Sequence, residues 1–252
     1  MLKEIVIAIQ SFYKAHMFIR KHLLWKWIVI PGILYTMLFC VGMYFFWNSA
    51  DMAVSYFSEI IGIDKWLHRQ HSAALSFLFV MGGIMVRLIL VFFYFSLFKY
   101  LILIIGSPVF AYLSEKTESI IEGKEQPFDS AQMLKDMIRG IRLALRNCFW
   151  QTVYTACLLI LSFVPIVGWI TPVISGLVEC YYYGFSMLDY SCERHKLSPS
   201  ESIAFISKRR GLAMGNGMVF YLLHFIPFLG WVLAPSYAVV AATISLYHQN
   251  ME

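Results

Sequence analysis

The chain has 252 residues, 60% of them hydrophobic and 17% aromatic, with a formal charge of +5 and a mean hydropathy of +0.67. A soluble domain holds only about 45–50% apolar residues, so the composition excludes a soluble globular protein and marks an all-α integral membrane protein. The basic residues lie beside apolar runs, as a cytoplasmic charge bias does, and match no nucleic-acid-binding module.

The length suits a single membrane domain over residues 1–252. Cys40, Cys148, Cys157, Cys180 and Cys192 are scattered. They form neither a disulfide framework nor a metal spacing and read as small packing residues. No metal or cofactor is expected. The first apolar run is too long for the core of a cleavable signal peptide, and a charged amphipathic segment precedes it.

In chain order, residues 1–26 mix Ile5, Val6, Ile9, Phe12, Met17 and Phe18 with Lys3, Lys14, Arg20, Lys21 and Lys26. That pattern predicts an amphipathic helix at the cytoplasmic interface. A first span follows at 27–47. Pro31-Gly32 lies near its start, and Trp25, Trp27, Phe45, Phe46 and Trp47 supply aromatic belts at its two ends. Residues 48–72 read as a short polar loop. A long second span covers 73–105, roughly 50 Å as one helix, interrupted by Arg87 and Lys99. It stops at Gly106-Ser107-Pro108, where Gly suits a helix end, Ser a cap and Pro a first turn. Residues 109–147 carry Lys116, Lys124, Lys135, Arg139, Arg142 and Arg146 and read as cytosolic helices. A turn is expected near residues 126–130. Met133, Met137, Ile138, Ile141 and Leu145 then form one apolar face with arginines on its flank.

The rest of the chain contains an internal repeat. Phe163-Val164-Pro165-Ile166-Val167-Gly168-Trp169-Ile170 matches Phe225-Ile226-Pro227-Phe228-Leu229-Gly230-Trp231-Val232, and a further proline follows each copy at Pro172 and Pro235. A Pro-x-x-Gly break inside apolar sequence signals a turn. The arm before each proline makes roughly 25 Å of helix, short of the ~30 Å hydrocarbon core. The preferred reading is two re-entrant hairpins, 148–189 and 211–248, tipped by Pro165/Gly168 and Pro227/Gly230 and joined by a cytosolic segment at 190–210. Four ordinary spans are the alternative. The N-terminal, 109–147 and 190–211 segments hold most of the lysines and arginines, in line with the positive-inside rule on either reading.

Gly106-Ser107-Pro108-Val109-Phe110, followed by Leu113-Ser114-Glu115-Lys116 and Glu118, resembles the signature after the second helix of CysZ-type sulfate permeases, within the etoposide-induced-protein-2.4-like family. Asp189-Tyr190 with Glu193 and His195-Lys196, and each Pro-x-x-Gly tip, look like the same family. The resemblance covers nearly the whole chain. It implies a bacterial inner-membrane protein, multi-pass with both termini cytoplasmic, that mediates sulfate uptake for cysteine synthesis. It also implies two long spanning helices, two partly penetrating hairpins and a homo-oligomer. Family members carry a Gly-Leu-Arg-type anion motif before the first span. Here the aligned stretch reads Leu23-Leu24-Trp25-Lys26, so Lys26 is the corresponding cation.

An anion crossing a membrane needs fixed positive potential that does not hold it too tightly. Ser107, at an expected helix start with Gly106 and Pro108, is either a plain cap or an anion donor. Arg20, Lys21 and Lys26 form a basic cluster that suits either an oxyanion or anionic lipid headgroups. Arg87 lies inside the long apolar run and either faces a pore or partner, or snorkels to the interface. Glu179 would repel an anion, so a structural or gating role is expected, paired with Arg87 or Lys99. His224 reads as a satisfied buried histidine, and His68-x-x-His71 as a surface loop. No catalytic constellation stands out, so an enzyme is not expected. The expected partners are sulfate or a related oxyanion, membrane lipids and further copies of the chain, with no nucleic acid. A non-transporting membrane scaffold is the competing function.

Overall fold

The computed structural model describes residues 1–61, 98, 100–101, 103–123, 130–161 and 167–249. The described residues are helical, without strands. They form α1 (Leu2–Lys21), α2 (Trp25–Ile61), α3 (103–122), α4 (Ser130–Leu161), α5 (Val167–Arg194), α6 (Pro199–Lys208), α7 (Arg210–His224) and α8 (Leu229–Gln249). Arg87, Lys99, His68, His71, Pro165, the turn at 126–129 and most of the expected second span lie outside the described residues. The chain divides into two compact units, Met1–Thr36 with Ile102–Glu252, and Met37–Leu101. In the second unit, Phe39 and Phe98 meet edge to face with ring centroids 5.0 Å apart.

Two elements differ from the sequence expectation. The helix that begins at Trp25 continues to Ile61 instead of ending at Trp47. The stretch from Met43 to Ile61 contains no glycine or proline, so nothing local stops it. Residues 103–122 form one uninterrupted helix through Gly106-Ser107-Pro108. The glycine there makes room rather than ending the helix, since a Cβ on Gly106 would lie 2.7 Å from the Phe110 ring. Near the proline, the Leu103 carbonyl accepts a hydrogen bond from Tyr190 Oη at 3.2 Å.

Two segments, Trp25–Ser49 and Leu229–Tyr247, are long and apolar enough to cross a membrane. They differ in surroundings, since 17% of the first window is buried and 78% of the second. The first turns Ile30, Ile33, Leu34, Met37 and Val41 outward, an arrangement that lipid accepts and water penalises. The second is mostly packed by protein, as expected for a helix apolar all round. Its buried run Ala238–Ala242 is made of alanine and valine, small enough for neighbouring backbones to come close.

The centre of the unit is the antiparallel crossing of α5 and α7. A Cβ on Gly184 would fall on the Ala213 carbonyl, and one on Gly217 would fall on the Cys180 carbonyl. Beside this contact, Tyr183 and Phe220 stack with ring centroids 3.6 Å apart. α1 docks on the other side of α7. Its inward face is Ala8, Ser11, Phe12, Ala15 and Ile19, and Gly215 admits it, since a Cβ there would lie 2.8 Å from Ala8 Cβ. α7 has no side-chain cap of its own. Glu4 Oε2 of α1 accepts the Gly211 N–H at 2.9 Å instead, satisfying one of the orphan amides of the helix start. The N-terminal helix is therefore a packed element of the core. Val6, Ile9 and Met17, grouped with Phe12 in the sequence reading, face outward.

The second repeat copy is a tight turn at Phe225–Phe228 between α7 and α8. Phe228 adopts φ 61°, and Trp231 Nε1 donates to the His224 carbonyl at 3.1 Å. Gly230 lets the arms close, because a Cβ there would fall on the Leu223 carbonyl. α5 starts at Val167, the repeat equivalent of Leu229 where α8 starts, and Gly168 is its second residue.

The glycine crossing sets a stability test. Gly217→Ala should cost about 1–3 kcal/mol or more, because the methyl meets backbone and not a movable side chain. Gly176→Ala meets nothing within 4 Å and should be neutral or gain up to about 1 kcal/mol of helix propensity. Thermal unfolding of the detergent-solubilised variants reads both, and equal midpoints would refute the crossing as a fixed constraint.

Candidate functional site

The helical repeat places polar residues of α4 and α5 on faces that meet. On α4, Arg139, Leu143, Asn147 and Gln151 recur every fourth residue. On α5, Glu179, Ser186, Asp189 and Glu193 share a face. Asn147 and Gln151 are each 1% exposed. Burying amides and carboxylates so completely is costly without partners, and the structure supplies them. Gln151 Nε2 donates to Glu179 Oε1, and Tyr221 Oη of α7 donates to Glu179 Oε2 at 2.7 Å. Asn147 Oδ1 accepts from Arg146 Nη1 at 3.0 Å. The result is a polar seam running between α4 and α5.

At one end of the seam Arg139 binds three elements together. Its Nη1 and Nη2 donate to Asp189 Oδ2 and Oδ1 at 3.2 and 3.0 Å, a bidentate pair. Its Nε donates to the Leu197 carbonyl at 2.9 Å, and Nη2 also donates to Ser202 Oγ of α6. Glu193 Oε2 lies 3.9 Å from Nη1. The planar fork of arginine matches a two-oxygen acceptor in this way, which an ammonium does not. Beside it, burial first and the Asp189 charge second push the Cys192 thiol up to about 12, so it stays protonated and unreactive. His195 Nε2 lies 3.2 Å from Glu118 Oε1 of α3. Next to these groups is a triangle of buried hydroxyls from three helices. Ser114 lies 3.3 Å from Ser191 and 3.0 Å from Thr243, and Ser191 donates to Thr243 at 3.1 Å.

Between the two ends of the seam lies a cavity of about 10 Å³, lined in part by Gly140, Asn147, Ser186 and Asp189. That is room for about one water. Ser107 of α3, 3% exposed, lies close by, its Oγ 4.0 Å from where a Cβ on Gly140 would be.

The sequence matches the family described as Sulfate transporter CysZ/Etoposide-induced protein 2.4 over residues 11–235. The chain belongs to this family. Among its curated relatives, the Sulfate transporter CysZ of Pseudomonas aeruginosa strain LESB58 is 33% identical over 173 residues, 68% of this chain and 70% of the relative. That of Pseudomonas paraeruginosa strain PA7 is 31% identical, over 66% and 68%. That of Pseudomonas syringae pv. tomato strain DC3000 is 26% identical over 220 residues, 86% of this chain and 82% of the relative.

Within this CysZ-family fold the residues singled out by sequence fall into separate places. Arg20 and Lys21 occupy the last turn of α1 and Lys26 the first turn of α2. All three are exposed, joined by a turn in which Leu23 takes φ 53°. Ser107, Gly106 and Pro108 lie inside α3, so their amides are not at a helix start. Ser107 instead borders the seam. Glu179 is in the seam, with Gln151 and Tyr221 as partners. Pro227 and Gly230 form the described hairpin turn. The sequence reading missed Asn147, Gln151 and the clamp role of Arg139. The signal was the four-residue spacing of polar positions on α4, which the apolar face of Met133 to Leu145 obscured.

The Arg139 clamp depends on α6, and α6 on its cap. Ser198 Oγ accepts from the Glu201 N–H, and the Glu201 carboxylate accepts from the Ser198 N–H at 2.7 Å, a capping box with Pro199 in the first turn. The Ser198 hydroxyl, then its amide, hold Glu201 below its ordinary value of 4.5. A depressed carboxyl contributes fully above that ordinary value and loses its contribution as pH falls through the folded one. Amide protection of α6 should therefore drop as pH is lowered past 4.5, and less so in Glu201→Gln, which has no charge to lose. Protection that follows the same pH profile in both proteins would sink this account.

Proposed function

We propose that this chain is a sulfate transporter of the bacterial inner membrane, a single multi-pass membrane domain with both termini in the cytoplasm. The observation that carries this reading is the family match over residues 11–235, together with several Pseudomonas relatives named Sulfate transporter CysZ. The outward apolar face of α2 supports membrane insertion. The re-entrant reading of 211–248 is supported by the hairpin tip, where Phe225, Ile226, Phe228 and Leu229 are exposed at 81, 48, 67 and 66%. A tip so apolar suits hydrocarbon and not the aqueous far side. α7, with 15 residues, makes roughly 22 Å of helix against a core of ~30 Å. By repeat symmetry 148–189 forms the second such hairpin, turning near Pro165 and Gly168. The segments 109–147 and 190–210 then lie in the cytosol.

Sulfate is a dianion, and the exposed Arg20, Lys21 and Lys26 at the α1–α2 turn offer it three cations at the membrane edge. The buried seam supplies the polar surface an ion needs inside apolar helices. Arg87 would add positive charge inside the expected second span, with Glu179, held by Gln151 and Tyr221, as a structural group of the gate. The working unit is a homo-oligomer in contact with membrane lipid.

Radiolabelled sulfate uptake into proteoliposomes tests this directly. The wild-type protein should take up sulfate above protein-free vesicles, with saturation. Lys26→Ala combined with Arg20→Ala should lower uptake several-fold at low sulfate without changing the unfolding midpoint. Uptake by the folded wild-type protein equal to protein-free vesicles would refute transport.

A further inference from the structure

We propose that Arg139 is an internal sulfate station whose fork is occupied by Asp189 in the closed protein, so that the substrate opens its own path by displacing a carboxylate that mimics it. This rests on the sulfate-transport reading above. Three observations carry it. First, the Asp189 carboxylate takes both ends of the guanidinium at 3.2 and 3.0 Å. Two oxygens of a sulfate present the same bidentate acceptor to the same donors.

Second, the carboxylate has somewhere to go. Asp189 forms part of the wall of the small cavity, and Asn147 and Ser186 line that wall with it. The Asn147 amide N–H can donate to a carboxylate, and so can the Ser186 hydroxyl once it turns from the Tyr182 carbonyl, to which it donates at 3.1 Å. When Asp189 swings off Arg139 into this space, it gains these donors. It is not left as a bare buried charge, which would cost several kcal/mol.

Third, the surroundings keep the station weak. Glu193 lies 3.9 Å from Nη1. A conduction site has to release its ion. A dianion held by one arginine among carboxylates is attracted enough to enter and repelled enough to leave. The displacement also carries a mechanical signal, because the Nη2 that turns to sulfate is the one that donates to Ser202 of α6.

The test separates this role from a static clamp. Sulfate affinity is measured by isothermal titration on detergent-solubilised full-length protein, and flux in proteoliposomes, for wild type, Asp189→Asn and Arg139→Lys. Asp189→Asn removes the competing charge and keeps the shape. It should tighten sulfate binding about tenfold while lowering maximal flux, because release slows. Arg139→Lys keeps the charge and loses the fork, and should weaken binding about tenfold. A static clamp predicts lower stability in both variants with unchanged sulfate affinity, and that result overturns the proposal. If a variant does not fold, the wild type alone decides. Adding sulfate, and not chloride, should speed amide exchange across 197–206 as Ser202 is released, and unchanged exchange there overturns the proposal. A wild type that neither binds nor carries sulfate defeats the transport reading itself. A wild type that carries sulfate while Asp189→Asn leaves its affinity unchanged defeats only the station.

Discussion

The first unit depends on backbone meeting backbone where α5 crosses α7. Gly184 and Gly217 each lie against a carbonyl of the other helix, with no space for a methyl group. In a chain this apolar, burial alone does not choose one packing, because lipid tails accept leucine as readily as another helix does. Close approach does choose, since it is available at few registers. Once α5 and α7 are fixed at the two glycines, Tyr183 stacks on Phe220, Asn216 reaches the Ala238 carbonyl at 3.0 Å, and Gly215 receives α1. Glu4 then caps the helix that its own element packs against. The same small-residue logic explains why α8 is both apolar enough to span a membrane and mostly buried.

The polar seam is the second consequence. α4 and α5 can carry amides and carboxylates on a shared face, provided that each finds a partner. Gln151 and Tyr221 serve Glu179, and Arg139 serves Asp189. Such networks rigidify a fold when every group is satisfied and become switchable when an outside ligand can replace one member. Arg139 is suited to that, because its partners come from α5, α6 and the intervening loop.

Sequence conveyed the helical class, the turn of the second repeat copy and the family, because each rests on local pattern. The Pro227-x-x-Gly230 turn was legible since proline and glycine restrict the backbone wherever they occur. The end of α2 was not, because aromatic and polar residues such as Trp47, Asn48 and Asp51 look like an interface while still permitting a helix. Gly106-Ser107-Pro108 misled for a related reason. The same three residues suit a helix break, yet the chain uses Gly106 to admit the Phe110 ring and carries on. The outward side of α1 was hidden because apolar content does not say which apolar residues face protein. Ala8 and Ala15 face inward while the larger Val6 and Ile9 do not, a choice made by Gly215 more than two hundred residues away. The seam was hidden because its residues pair across helices, and the Arg139–Asp189 contact has no signature within either helix alone.

The charge of the seam bears on what an anion pathway requires. Glu118, Glu179, Asp189 and Glu193 outnumber Arg139 and Arg146 among its described residues, the reverse of what a sulfate-binding protein would display. Binding and transit have opposite needs, however. A pocket that surrounds sulfate with arginines keeps it, whereas an ion in transit must find each stop only slightly better than the next. Carboxylates that already hold the cations in the seam lower the net attraction without removing the cations. On the proposed topology the exposed cluster of Arg20, Lys21 and Lys26 lies at the cytoplasmic edge, where water screens the charge and release is easy. On that topology, acid in the packed interior and base at the exposed cytoplasmic edge is a workable division for a dianion, with competition inside and easy release at the surface.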